Sequence, residues 1–138
     1  MKLHLDIVTP TQKVLSEEID ELTVNTTNGE ISILPGHINL FTKLLSGEAV
    51  IRKGNKTDFF AITGGFLEVS NNHLSILADY AIRAEDIEIS KVEEAKQRAE
   101  KAMKDKDKEQ AIESLEDDIR RAALQLKVAR KHHNRRTS

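Results

Sequence analysis

Every glycine and both prolines of this 138-residue chain lie before residue 66. Gly and Pro are the strongest local breakers of regular structure, so they cut the first half into short elements and leave the second half free to form long helices. Charge divides the chain at the same place. Residues 1–82 hold 6 basic and 10 acidic side chains, whereas residues 83–138 hold 15 and 13. The boundary falls near Ala81 to Asp86.

The first part reads as strands. Leu3, Leu5 and Ile7 alternate with Lys2, His4 and Asp6, which is the period of a half-buried strand. Short apolar runs follow: IDELTV, EISIL, EAVIR, DFFAIT, GFLEV and HLSIL. Turn signals separate them at Asn28-Gly29, Pro35-Gly36, Ser46-Gly47, Gly54-Asn55, Gly64-Gly65 and Asn71-Asn72. Asn-Gly suits a tight hairpin because both residues accept positive φ. Gly64-Gly65 predicts a bulge or a close backbone approach. Glu17-Glu18 and Asp20-Glu21 read as a solvated turn. Short strands at roughly 8–12-residue spacing predict a sandwich or flattened barrel, of about ten short strands, over residues 1–84.

The second part, 85–138, reads as an antiparallel two-helix hairpin. Ser90 followed by Glu93 predicts a capping box. Val92, Ala95, Ala99 and Ala102 mark one helical face, and residues 104–108 the connection. Ile112, Leu115, Ile119, Ala122, Leu126 and Ala129 then form a heptad seam. Both stripes are narrow and rich in alanine. At about 25 cal/mol per Å² of buried apolar surface, such a seam stabilises far less than a leucine-rich one. The hairpin is expected to be marginal and able to undock.

Composition excludes several classes of function. There is no cysteine, hence no disulfide scaffold, thiol chemistry or Cys-bound zinc. No stretch reaches the ~18 apolar residues of a membrane helix, and the start lacks a signal-peptide core, so membrane association is expected only through a partner. Asn25-Thr26-Thr27 and Asn55-Lys56-Thr57 match the glycosylation acceptor pattern, by chance in a chain read as unsecreted. Net charge is -2, which gives no general argument for nucleic acid.

The motifs point the same way. The chain lacks Gly-x-Ser-x-Gly, a P-loop and His-Glu-x-x-His. His4 and His73 fall at polar positions of strand-like segments, where a solvated face accounts for them. His132 and His133 are adjacent and diverge on a helix, so no metal site is expected. His37 stands on the Pro-Gly turn with no nucleophile in its stretch. Residues 119–138 hold seven basic side chains and no acidic one. Cations complement a helix C-terminus; they also suit docking to an acidic partner. No aromatic residue interleaves with them, which argues against nucleic acid. The residues alone thus indicate a non-catalytic interaction protein.

Three segments in register go further. GEISILPGHINL (29–40) with Thr42 resembles the Gly-Glu-x-Gly-x-Leu-Pro-Gly-His-x-Pro-Leu signature of the epsilon subunit of F-type ATP synthases. AITGGFLEVSNN (61–72) resembles that family's small-x-x-Gly-Gly-Phe-x-Glu-Val signature, and DIVTPTQKVLSEEIDELTV (6–24) its N-terminal strands. The resemblance spans essentially the whole chain. Ser32 stands where the family often has Gly. Asn39 stands where it usually has Pro, which removes a φ restriction from the loop.

The resemblance implies a subunit of the central stalk that carries out no chemistry. It would couple ion-driven rotation of the membrane ring to ATP synthesis in the head. Its β domain would clasp the gamma subunit and rest on the proteolipid ring, with Glu30 and His37 as contact residues. Its hairpin would reach the alpha and beta subunits of the head and brake ATP hydrolysis. There Arg120, Arg121, Lys127, Arg130 and Lys131 would meet acidic segments of the beta subunits. No cofactor is implied. Some relatives bind ATP through Ile/Leu-Asp-x-x-Arg-Ala, but here Glu88, Lys91 and Val92 replace Asp, Arg and Ala. Lysine lacks arginine's planar fork for phosphate, which weighs against an ATP site. The implied location is peripheral, on the cytoplasmic face of a bacterial plasma membrane, with a plastid thylakoid second. The rival reading is a freestanding β-sandwich adaptor whose basic tail binds an acidic protein or nucleic acid.

Overall fold

The computed structural model describes residues 2–104 and 112–137. Among these, ten strands precede two helices. The strands are β1 (Leu3–Val8), β2 (Lys13–Ile19), β3 (Glu21–Thr26), β4 (Gly29–Ile33), β5 (Leu40–Lys43), β6 (Gly47–Lys53), β7 (Lys56–Thr63), β8 (Phe66–Ser70), β9 (His73–Leu77) and β10 (Tyr80–Arg83). A 3₁₀ turn, Ala84–Asp86, leads to α1 (Ile89–Met103) and α2 (Ile112–Thr137). The described residues divide into two compact units, one ending at Arg83 and one beginning at Ala84.

The first unit is a sandwich of two five-stranded sheets, ordered β2-β1-β9-β8-β5 and β10-β7-β6-β3-β4. Alternation puts one side chain in two between the sheets. Leu3, Leu5, Ile7, Ile19, Leu22, Ile33, Leu67, Leu74 and Ile76 are wholly buried there, and Ile51 and Phe60 nearly so. Each contributes roughly 1.5–3 kcal/mol of burial, so the unit has an ample core of its own. β1 runs parallel to β9, with His4 opposite His73, and antiparallel to β2.

Two close approaches fix the corners. Gly65 has φ +112, and a Cβ there would lie 2.0 Å from the Leu77 carbonyl oxygen, so the expected close packing of the Gly-Gly pair is backbone on backbone. Asp20 Oδ2 accepts the Gly54 N–H at 2.6 Å, tying the β2–β3 corner to the β6–β7 turn. Glu17 and Glu18 lie within β2, opposite Leu5 and His4, rather than in a solvated turn. The buried pair Leu15 and Ile19 flanks Glu17 on the inward side, so that acidic position is held in the strand by its neighbours.

In the second unit α1 and α2 pack together, and the 3₁₀ turn packs on α2. Arg130, late in α2, pairs with Glu93, early in α1, so the helices run antiparallel. The expected capping box does not form. α1 begins at Ile89 with Glu88 at the N-cap, and no side chain caps it; Ser90 lies inside the first turn and Glu93 is turned to Arg130. The α1 face largely follows the expected one: Ala99 is buried and Val92 and Ala102 are partly covered, with Lys96 and Met103 beside them, while Ala95 is exposed. On α2, Ala122, Leu126 and Ala129 are buried as the seam predicts, but so are Gln125 and Val128, so the buried face is wider. Residues 105–108 of the expected connection lie outside the described residues.

Candidate functional site

The Pro-Gly break after β4 builds a displayed turn. Proline pre-sets the φ of the first central position, and Gly36 takes φ +85 at the second, as a type II turn requires. The His37 N–H closes it by donating to the Leu34 carbonyl at 3.1 Å. The turn leaves Leu34 51% and Ile38 77% exposed. The His37 ring is bonded within its own loop, its Nδ1–H donating to the Ile38 carbonyl at 2.8 Å. Among the described residues no nucleophile is bonded to that ring. Glu30 stands exposed on β4, opposite Asn25 of β3. Ser32, the departure from Gly, joins its hydroxyl to that of Thr23 at 2.8 Å across the same ladder.

A second apolar feature escaped the motif reading. Phe41 of β5 and Phe66 of β8 stack on the outer face of the first sheet, with ring centroids 5.5 Å apart. Phe66 is paired in turn with Leu77 of β9, so three exposed apolar side chains adjoin. Beside them runs a groove of about 600 Å³ whose lining includes Val8, Pro10 and Lys43. The sequence does carry the signal. Leu67 and Val69 alternate inward, which turns Phe66 outward.

The other part of this outer face is polar. Asp6 lies between two imidazoles, with His73 Nε2 at 3.0 Å and His4 Nε2 at 3.4 Å. Its carboxyl is held below the usual range by the Ser16 hydroxyl first, then by the positive charge of His4, Lys13 and His73, against the opposing effect of burial. Among the described residues no group of three His, Asp or Glu side chains is disposed to hold a metal ion.

In the helical unit, Lys91 Nζ lies 2.9 Å from Glu88, so the two charged positions of the degraded ATP motif meet one another. The five cations of α2 expected to meet the beta subunits do not share one face. Positions 120, 127 and 131 fall on one line of the helix, about two and three turns apart. Arg130 is drawn to Glu93, and Arg121 is half-buried on another side. Arg120 is held within α2 by Asp117 at 3.4 Å and Glu116 at 3.7 Å. Among the described residues no helix is long and apolar enough to cross a membrane.

Known proteins match this arrangement. The profile of the family described as ATP synthase, Delta/Epsilon chain, beta-sandwich domain, matches residues 2–84. An ATP synthase epsilon chain of Herpetosiphon aurantiacus is 40% identical over 135 residues, covering 98% of this chain and 99% of its own length. One of Dehalococcoides mccartyi is 44% identical over 131 residues, 94% of each chain. Among solved structures, a chain in the Euglena gracilis mitochondrial ATP synthase (OSCP/F1/c-ring) shares the fold with TM-score 0.64 at 21% identity, covering 96% of this chain and 80% of that one. A chain in the Tetrahymena thermophila mitochondrial ATP synthase central stalk and c-ring does so with TM-score 0.58 at 18% identity, covering 94% of this chain and 97% of that one. With a sandwich, a two-helix appendage and near-full-length relatives of one kind, the chain belongs to the epsilon-chain family of ATP synthases.

Proposed function

We propose that this chain is a non-catalytic subunit of an ATP synthase central stalk, coupling ion-driven rotation of the membrane ring to ATP synthesis in the head. One observation carries the reading: a fully packed sandwich leaves Leu34, Ile38, Phe41, Phe66 and Leu77 between 42% and 77% exposed. Large apolar side chains displayed in this way mark a protein interface. Glu30 and His37 flank the displayed turn and are the proposed polar contacts to gamma and the proteolipid ring. The subunit is peripheral, on the cytoplasmic face of a bacterial plasma membrane, as the bacterial relatives suggest.

The helical unit is proposed as a brake on ATP hydrolysis. Among the described residues its buried side chains are four alanines with Ile87, Gln125, Leu126 and Val128, so only modest apolar area opposes its rearrangement. Arg120, Lys127 and Lys131 form the stripe that would meet acidic segments of the beta subunits, with Arg121 and Arg130 at its sides. ATP regulation is no part of this reading, because lysine at 91 lacks arginine's planar fork for phosphate.

The test is a pull-down from solubilised source membranes with the tagged chain. Recovery of gamma with the alpha and beta subunits is expected. Recovery of nucleic acid or an unrelated acidic protein in their place would favour the adaptor. For the brake, a chain stopping after Ala84 should relieve inhibition of hydrolysis in the reassembled complex; equal inhibition would remove that role.

A further inference from the structure

The displayed turn is tied to the rest of the sandwich by two asparagines acting in opposite directions. Asn72, on the β8–β9 turn, accepts the Gly36 N–H at 2.7 Å through its Oδ1. Asn39, at the end of the displayed loop, accepts the Asn71 N–H at 3.1 Å. The anchor is itself rigid. Asn71 and Asn72 take φ 49 and φ 63, as a two-residue type I′ turn requires. The Asn72 carbonyl also accepts the His4 N–H of β1 at 2.9 Å. The adjacent residues Asn71 and Asn72 thus fasten the middle and the end of a loop that carries an isoleucine 77% exposed.

We infer that Asn39 and Asn72 are positioning residues that hold loop 34–39 in its docking conformation before the partner arrives. The inference rests on the proposed docking role of this loop. Both bonds lie at the surface, so losing them leaves no buried polar group unpaired and costs the fold little. Their effect falls on the loop. A loop that samples several conformers binds with an affinity reduced by the fraction that is competent. Asn39 stands where the family usually has proline. Proline limits such a loop by fixing φ; Asn39 limits it by a bond across to the next turn. Two different chemistries therefore serve one position.

The experiment compares the full-length chain with Asn39→Ala, Asn39→Ala/Asn72→Gly and Asn39→Pro, glycine being chosen at 72 because it accepts the positive φ of that turn position. It measures affinity for the gamma subunit, amide exchange at Gly36 and Asn71, and the melting temperature. The double variant is expected to melt close to the wild type, exchange faster at both amides, and bind about tenfold more weakly. Asn39→Pro is expected to bind better than Asn39→Ala, since it restores restriction without the bond. Unchanged affinity and exchange in the double variant, beside a wild type that binds, would overturn this inference alone. A wild type that does not bind gamma would overturn the docking reading, and this inference with it.

Discussion

His73 Nε2 lies 3.0 Å from Asp6 Oδ2, which joins β9 to β1 on the outer face of the first sheet. The parallel register that sets His4 opposite His73 also brings His4 to the same carboxylate, and Lys13 stands 3.9 Å away on β2. Asp6 is only 16% exposed, so this charge is not freely screened. Its carboxyl titrates below the ordinary value of 3.8 when folded. A depressed carboxylate stabilises the fold fully above its unfolded value, and loses that contribution as pH falls through the folded one. Asp6→Asn should therefore cost about 1 kcal/mol near neutrality. In urea melts the gap between variant and wild type should narrow below pH 3.8.

Gly65→Ala should be far more damaging than Gly36→Ala. Both glycines have positive φ, but only at Gly65 would the new methyl meet backbone, 2.0 Å from the Leu77 oxygen. At Gly36 nothing lies within 4 Å. Gly36→Ala should cost about 1–2 kcal/mol, the left-handed strain alone. Gly65→Ala must also part β8 from β9 and should exceed about 3 kcal/mol. Thermal unfolding of the two variants gives the comparison directly.

Both of these sites are legible in the sequence. Local rules suffice for Gly64-Gly65, for the Pro35-Gly36 turn and for the Leu3, Leu5, Ile7 alternation, since each depends on residues next to one another. They fail where the partner is remote. Nothing near His4 announces His73, because the pairing of β1 with β9, strands far apart in the sequence but neighbours in the sheet, decides it. β2, β5 and β10 lie outside the apolar runs. β2 carries Glu17 and Glu18 in mid-strand, and β5 and β10 are four residues each. Ser90 fits a cap by type and spacing, yet α1 takes Glu88, two residues earlier, as its N-cap. The contact role proposed for Glu30 and His37 rests on the resemblance of the motif. The apolar side chains around them needed the inward–outward sense of each strand.

The Arg130–Glu93 pair gives a measure of how weakly the hairpin is fastened. The pair is half exposed, 56% and 43%, so water and salt screen it. A double-mutant cycle with Arg130→Ala and Glu93→Ala should return about 0.5 kcal/mol in dilute buffer, falling further in 1 M salt. A coupling above about 2 kcal/mol would mean the helices are locked, which a movable brake could not tolerate.

Ile38 separates folding from docking most cleanly. It is 77% exposed on a turn held by other residues, so Ile38→Asp removes almost no native packing. Its stability should stay within about 0.5 kcal/mol of the wild type. Phe60→Ala makes the opposite change. Phe60 is 1% exposed between the sheets and beneath the Arg83 guanidinium, 5.3 Å from its ring centre. That variant should lose about 3–5 kcal/mol and fail in assembly because it unfolds. Ile38→Asp should fail while folded, because a carboxylate at the centre of an apolar contact must be desolvated without a partner. Its affinity for gamma should drop at least tenfold, as for a central interface residue. Circular dichroism and a binding titration on the same sample distinguish the cases. A folded Ile38→Asp chain that still binds as the wild type does would move the interface away from this turn, towards Phe41, Phe66 and Leu77.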